Sequence, residues 1–288
     1  MTPSIKLNSG HYIPSVGLGT WLSPPGQVGD AVKVALNNGY EHIDCAHAYR
    51  NQVEIGDALA DIFSEGKIKR QNIFITSKIW NTFHSYQMAK KGMDMILSEL
   101  RLDYLDLCLI HWPHGYEEGS DFYPKAADGK KFRYSNIDYL ETWLAMEDYV
   151  AKGKVRSIGL SNFNHKQIQR IMDNGNMKPA VLQVELHPYH QQRKLRSFCA
   201  KAGIVITAYS PLANPTMPFR KAEHPVELHP YHQQRKLRSF CAKAGIVITA
   251  YSPLANPTMP FRKAEHPVLL EDSQILQIAG THNKTAAQ

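Results

Sequence analysis

The chain has 288 residues, 43% of them hydrophobic and 20% charged, so one sizeable domain core can be buried and general disorder is not indicated. No apolar run reaches the roughly 18 residues of a membrane helix, and the chain does not begin with a basic-then-apolar signal pattern. We therefore expect a cytoplasmic protein without a membrane partner, and we expect it to be a monomer. A segment of net charge +4 occurs twice within the formal net charge of +7, so the basic excess reflects the repeat and no nucleic-acid partner is expected.

The first predicted element is a β-hairpin. Residues 8–10 read Asn-Ser-Gly, which is typical of a tight turn, and short apolar stretches flank them at residues 5–7 and 11–14. A glycine at the end of the turn supplies the backbone freedom that such a reversal needs.

Predicted strands and helices then alternate along the chain. Six strands end near residues 44, 78, 111, 161, 186 and 208, and the helices carry apolar residues three and four apart, as at Ile55, Leu59 and Ile62. This alternation favours a parallel sheet of βα units. The glycine-rich motifs of doubly wound and P-loop folds are absent, whereas the length suits a single-domain α/β barrel.

Three successive predicted strands end in a polar residue. They close on Asp44, Lys78 and His111, and Tyr49 follows five residues after Asp44. The carboxyl ends of barrel strands meet at one rim, where barrel enzymes carry their catalytic groups. A buried Asp–Lys ion pair with a packing tyrosine is the alternative, but it leaves His111 unexplained.

The order Asp44, Tyr49, Lys78, His111 resembles the catalytic tetrad of the aldo-keto reductase family. Neighbouring motifs agree with that family in order: Gly17-Leu18-Gly19-Thr20-Trp21, Ser77-Lys78-Ile79-Trp80, Ile110-His111-Trp112-Pro113, Ser161-Asn162-Phe163 and Tyr209-Ser210-Pro211-Leu212. One departure is Gln52, where the family usually has an acidic residue. The resemblance implies a (β/α)8 barrel of the TIM type with the hairpin at its bottom, and NADPH-dependent reduction of aldehydes or ketones.

The tetrad suits that chemistry. A carbonyl that accepts a hydride needs a proton donor, and a free tyrosine, with a pKa of about 10, is a weak one near neutrality. A nearby ammonium lowers a phenol's pKa, and a carboxylate can hold that ammonium in place. We therefore expect Tyr49 to be the general acid with a lowered pKa, Lys78 and Asp44 to support it, and His111 to orient the carbonyl.

The resemblance also implies binding contacts. Ser161, Asn162 and Gln183 match residues that hydrogen-bond the nicotinamide carboxamide, and Tyr209 matches the ring stacked on the nicotinamide. Alone, a serine–asparagine pair is typical of a loop and a strand tyrosine of a core. Further cofactor contacts are expected at Thr20, Trp21, Ser210 and Leu212. An aromatic substrate pocket is expected from Trp21, Trp112 and Phe122, under the long loop at residues 114–135.

An internal repeat interrupts this pattern, because residues 184–226 are identical with residues 226–268. Repeats of solenoid proteins diverge, so a perfect copy indicates a recent tandem duplication or an error in a gene model. The copy contains two strand-like stretches, at residues 226–229 and 246–250, that could raise the strand count to eight. Because only about fourteen loop residues precede the first of them, a closed barrel is disfavoured. We expect a barrel that is incomplete or irregular in its last third.

In family terms, the chain is expected to be truncated. Residues 271–279 are predicted as a helix, and Thr285 is predicted to cap another. The implied Lys-Ser and Arg positions that grip the 2′-phosphate of NADPH would then be missing. The alternative function is therefore a catalytically silent or cofactor-poor barrel fragment.

No metal site is expected. The His-Pro-Tyr-His motif that begins at His187 recurs at His229 only because it is copied, and no supporting acidic or cysteine ligand has a recognised spacing. Four cysteines without a Cys-x-x-Cys motif predict reduced thiols rather than disulfides.

Overall fold

The computed structural model describes residues 3–212, the backbone of residues 246–250, and residues 273–281. The strand predicted at residues 226–229 and the cap predicted at Thr285 lie outside these residues. Within them, no helix is long and apolar enough to cross a membrane. Cys45, Cys108 and Cys199 are buried free thiols.

The predicted N-terminal hairpin is present. Strands β1 (Ser4–Lys6) and β2 (Tyr12–Pro14) pair antiparallel, and Gly10 adopts a φ of +90° in the turn between them. Leu7 and Ile13, from the hairpin, pack in one buried cluster with Phe74, Ala180 and Val181 at the amino-terminal ends of two barrel strands, and with Leu107 and Leu109 of a third. The hairpin therefore covers the end of the barrel opposite the predicted active site.

The eight remaining strands form a closed parallel barrel in the order β10-β3-β4-β5-β6-β7-β8-β9. Their bounds are β3 Val16–Gly19, β4 His42–Asp44, β5 Phe74–Ile79, β6 Leu105–Ile110, β7 Val155–Ser161, β8 Val181–Glu185, β9 Val205–Tyr209 and β10 Ile246–Ala250. The predicted (β/α)8 fold is confirmed.

Seven helices are described alongside the barrel. They are α1 Val28–Asn37, α2 Gln52–Ser64, α3 Tyr86–Glu99, α4 Tyr139–Ala151, α5 His165–Asn174, α6 Arg193–Ala202 and α7 Ser273–Thr281. The predicted apolar stripe of α2 is buried in the core, with Ile55 and Leu59 fully enclosed. One buried stripe on each helix leaves the opposite face in water, as in other barrels of this type.

Strand β3 was not predicted from the sequence. This four-residue strand contains two glycines, which have low strand propensity. A side chain at Gly17 would place its Cβ 2.5 Å from Nδ1 of His42, so this position of the strand requires glycine. Because β3 lies so close to β4, it carries glycine in place of the β-branched and aromatic residues by which a strand is normally recognised.

The expectation of an incomplete barrel was wrong. The barrel is closed, because β10, from the second copy of the repeat, pairs with both β9 and β3. Residues 246–250 have the same sequence as residues 204–208, so two adjacent strands are nearly identical. Ile246 pairs with Ile206, two positions beyond its counterpart in the first copy, and Ile248 pairs with Val16 on the other side. The irregularity is therefore that the last strand repeats the sequence of its neighbour.

Candidate active site

Lys78 and Asp44 form a buried ion pair at the carboxyl-terminal rim of the barrel. Adjacent strands β4 and β5 bring them together, and Lys78 Nζ donates to Asp44 Oδ1 over 2.6 Å and to the Cys45 carbonyl over 2.8 Å. Burial lowers the pKa of Lys78, but attraction to Asp44 and to the Tyr49 phenol outweighs it, and the net pKa is raised. Lys78 is therefore an ammonium at neutral pH.

Tyr49 lies beside this pair. A short 3₁₀ helix, His47–Tyr49, follows β4, and Lys78 Nζ lies 3.3 Å from the Tyr49 hydroxyl. The expected lowering of the Tyr49 pKa was wrong for the net effect. Burial raises the pKa above the usual value and exceeds the opposing influence of Lys78, so the phenol is protonated at neutral pH.

His111 completes the tetrad from the end of β6. Its ring meets Tyr49 edge-on with centroids 5.8 Å apart, and Trp80 packs on it at 5.2 Å. Burial, assisted by the charge of Lys78, holds the pKa of His111 well below its usual value. The imidazole is therefore neutral, and its Nδ1 is buried without a hydrogen-bond partner among the residues that the structure describes.

The residues predicted to hold a nicotinamide form one hydrogen-bonded group on β7, β8 and β9. Asn162 donates to the His111 carbonyl over 3.0 Å and to Ser161 Oγ over 3.1 Å, and it accepts from the Tyr209 hydroxyl over 2.9 Å. Gln183 Nε2 donates to Asp44 Oδ2 over 2.7 Å. Burial, reinforced by Glu185, raises the pKa of Tyr209 to about 12.

Thr20 joins β3 to the same rim. Its hydroxyl donates to the Asp44 carbonyl over 2.9 Å, and Asn51, which was not predicted as a site residue, donates to the Thr20 carbonyl over 2.9 Å. The loop that carries Tyr49 is therefore tied to β3. Because Asn51 follows Tyr49 by only two residues, this bond fixes where the phenol can lie.

A cavity of about 620 Å³ opens above the tetrad. It is lined by Asp44, Tyr49 and His111 and by these predicted binding residues: Thr20, Trp21, Trp112, Ser161, Asn162, Gln183, Tyr209 and Ser210. Leu212 is buried outside this lining. Eight lining residues were not singled out in the sequence as pocket residues: Gly19, Ala48, Trp80, His114, Tyr116, Tyr123, Tyr134 and Glu185.

The structure does not place Phe122 in this cavity. Its ring lies between His47 and Arg50 on the outer side of the loop, and its neighbour Tyr123 lines the cavity instead. The Phe122 carbonyl accepts a hydrogen bond from Trp80 Nε1 over 2.8 Å. This bond anchors the loop at Phe122, and the adjacent side chains of Phe122 and Tyr123 face different cavities.

The family model for the aldo/keto reductase family matches residues 15–225. The chain belongs to the aldo/keto reductase family. This aldo/keto reductase is 50% identical over 222 residues to aldo-keto reductase family 1 member A1 of Gallus gallus, covering 77% of this chain and 68% of the relative. The Mus musculus protein of the same name is 47% identical over 223 residues, again with 77% and 68% covered.

A solved structure agrees with this aldo/keto reductase in fold. The aldose reductase from Schistosoma japonicum superimposes with a TM-score of 0.76 at 43% identity, covering 86% of this chain and 83% of that one. The chain is accordingly an enzyme of the NAD(P)H-dependent oxidoreductase class, and its relatives support carbonyl reduction.

Proposed function

We propose that this aldo/keto reductase uses NADPH to reduce aldehydes or ketones to alcohols, with Tyr49 as the general acid. The observation that carries the proposal is the chain of contacts from Asp44 through Lys78 to the Tyr49 hydroxyl at the floor of the cavity. A structural ion pair alone does not require a phenol on the ammonium or an imidazole beside the phenol. Asp44, Tyr49 and His111 all face one space large enough for a small molecule, and Lys78 lies buried beneath them.

The residues around the cavity fit a nicotinamide. Ser161 Oγ accepts from Asn162 and keeps its own hydroxyl proton, while the Gln183 side-chain oxygen accepts no hydrogen bond within the described residues. This donor and acceptor match the two ends of a carboxamide. Tyr209 is held by its hydroxyl, and its ring has no aromatic neighbour in the described part of the chain.

NADPH, when bound, supplies a hydride to the carbonyl carbon. Ser161, Asn162, Gln183 and Tyr209 would hold its nicotinamide, with further contacts from Thr20, Trp21, Ser210 and Leu212. The preference for NADPH over NADH requires cationic donors for a phosphate, because charge-assisted hydrogen bonds to that group provide the discrimination. Dissociation constants measured for both cofactors test this preference directly.

Tyr49 delivers the proton. Its raised pKa keeps the phenol protonated before reaction, and Lys78 stabilises the phenolate that remains after the proton has moved to the substrate oxygen. Asp44 keeps Lys78 beneath the phenol. His111, neutral and facing the cavity, donates an N–H to the carbonyl oxygen and so orients it.

The cavity favours an aromatic or apolar aldehyde. Its walls include the rings of Trp21, Trp112 and Tyr123, which offer flat apolar surface and exclude water from the reacting atoms. We therefore expect 4-nitrobenzaldehyde to be a better substrate than an open-chain sugar, because the hydroxyl groups of a sugar lose their water on entering these walls.

Turnover of the purified chain tests the proposal. NADPH oxidation with 4-nitrobenzaldehyde is followed by absorbance, and cofactor binding is followed by fluorescence quenching. Tyr49→Phe should abolish turnover while leaving cofactor binding nearly unchanged. Tyr12→Phe is the matched control, because Tyr12 is 58% exposed on the hairpin at the opposite end of the barrel. Wild-type turnover in Tyr49→Phe would disprove the assignment, and absent turnover in the unmodified chain would favour the silent fragment.

A further inference from the structure

A second cavity, of about 680 Å³, lies on the outer side of the barrel between α2, α3 and the loop after β6. It shares no lining residue with the catalytic cavity. Its volume is within the range of small-molecule sites, roughly 300–1,000 Å³. It is therefore a separate space in which a ligand could bind without entering the tetrad.

The walls of this outer cavity are apolar and adaptable. Met88 and Met95 of α3 line it together with Phe83, and methionine side chains adjust readily to differently shaped ligands. The Phe122 ring is stacked on His47, with centroids 5.0 Å apart, and carries the Arg50 guanidinium 4.3 Å from its centroid. A ligand with a flat or short apolar tail would find complementary surface here.

Two cations of the outer cavity have no anionic partner. Arg50 and Lys91 both line it, and neither forms a salt bridge with any residue in the described ranges. The one acidic lining residue is Glu99, whose Oε2 already accepts from His47 Nδ1 over 3.0 Å and from Gln52 Nε2 over 2.7 Å. The unpaired charge that faces a ligand is therefore positive.

His47 adds an unused polar atom. Its side chain is only 6% exposed, and its Nε2 is buried without a hydrogen-bond partner in the described part of the chain. An unpaired buried nitrogen costs free energy that a ligand can restore. With Nδ1–H donated to the Glu99 carboxylate, Nε2 is an acceptor that a ligand hydroxyl or a water molecule can satisfy.

We propose that the outer cavity is a second binding site, for a small amphipathic carboxylate with an aryl or short alkyl tail. The carboxylate lies near Arg50 and Lys91, and the tail lies against the methionines and Phe83. The site has no catalytic role. Its occupancy does not depend on the proposed carbonyl reduction, because none of its residues belongs to the tetrad or to the cofactor contacts.

Calorimetric titration of the full chain with 4-phenylbutyrate tests this site. Arg50→Met and Lys91→Met should each weaken binding about fivefold, as expected for loss of one exposed charge pair. Arg101→Met is the matched control, because Arg101 also has a left-handed backbone, with φ 54° against 58° for Arg50, but does not line the cavity. Its affinity should equal that of the unmodified chain.

Two further variants locate the ligand. Met95→Trp should block the outer cavity and abolish binding, whereas His111→Phe, in the catalytic cavity, should leave binding intact. Circular dichroism establishes that each variant is folded. Binding that persists in Arg50→Met and Lys91→Met at full strength but disappears in His111→Phe would place the carboxylate in the catalytic cavity and overturn the proposal. Absence of binding to the unmodified chain would overturn it as well.

Discussion

Gln183 Nε2 donates to Asp44 Oδ2 over 2.7 Å, while Lys78 Nζ occupies the other oxygen of the same carboxylate at 2.6 Å. One buried carboxylate thus connects a residue proposed to hold the nicotinamide with the ammonium proposed to support the acid. β4 and β8 lie well apart in the ring of strands, so this bond crosses the mouth of the barrel. A substitution among the residues proposed to hold the nicotinamide should therefore alter the position of Lys78 and Asp44 in the tetrad.

Gln183→Met tests that connection. The variant removes one buried hydrogen bond to a carboxylate, so the free energy of unfolding should fall by about 1.5–3 kcal/mol and cofactor binding should weaken. Urea denaturation and cofactor fluorescence measure the two effects. Gln169→Met is the control, because Gln169 Nε2 makes the same type of bond to Asp173 over 2.7 Å on an exposed face of α5. Equal stability losses in the two variants would contradict the prediction.

Lys78→Met should be strongly destabilising as well as inactive. It leaves the Asp44 carboxylate buried without its ammonium, for which about 3–5 kcal/mol is typical. Lys33→Met removes an ammonium that is also 2.6 Å from a carboxylate, that of Asp61, but at an exposed position, and should change stability little. Denaturant midpoints measured on both variants compare the two losses of stability. A small effect at Lys78 would contradict the prediction that its ion pair with Asp44 stabilises the fold.

The turnover rate should be flat between about pH 6 and 9. Tyr49 is active as the protonated phenol, and its raised pKa places the alkaline loss of activity above its usual value of 10.0. His111 is active as the neutral imidazole, and its lowered pKa places the acidic loss well below 6.5. A profile of kcat against pH tests both signs. An inflection near pH 6.5 that disappears in His111→Phe would show that His111 titrates as a free imidazole.

Ile248→Pro should show whether the second copy of the repeat closes the barrel. Proline cannot donate to a strand ladder, and Ile248 pairs with both Val16 and Ala208. We expect a loss of stability similar to that of Ile206→Pro, the equivalent change in the first copy. Thermal unfolding of both variants provides the comparison. A stable Ile248→Pro protein beside an unstable Ile206→Pro protein would show that β10 is not part of the sheet.

Most of the barrel and the tetrad could be predicted from the sequence because strand ends are marked by polar residues after buried runs. Asp44, Lys78 and His111 carry this signal, and Tyr49 was placed beside them because it follows Asp44 by only five residues. β3 escaped because the contact between Gly17 and His42 excludes strand-forming side chains. Phe122 and Tyr123 are adjacent aromatic residues in an irregular loop, where no periodicity tells which one faces the cavity.

Gln52 shows how a departure from a family pattern can be explained only by structure. Its side-chain oxygen accepts from Ser77 Oγ over 2.5 Å, and its amide donates to Glu99. A carboxylate at this position could accept from Ser77 but would face Glu99 with a like charge. The neutral amide is therefore matched to Glu99, a contact some 47 residues away in sequence that no local motif reveals.

Because β9 and β10 are nearly identical in sequence, chain entropy decides which of them pairs with β8 first. Either copy offers the same residues to the free edge of β8, so side-chain complementarity cannot choose between them. Val205 follows Glu185 by 20 residues and Ile246 follows it by 61, and closing the longer loop costs about 1 kcal/mol more. That difference favours docking of the first copy only about fivefold, so we expect refolding to include attempts in which the second copy pairs with β8 first.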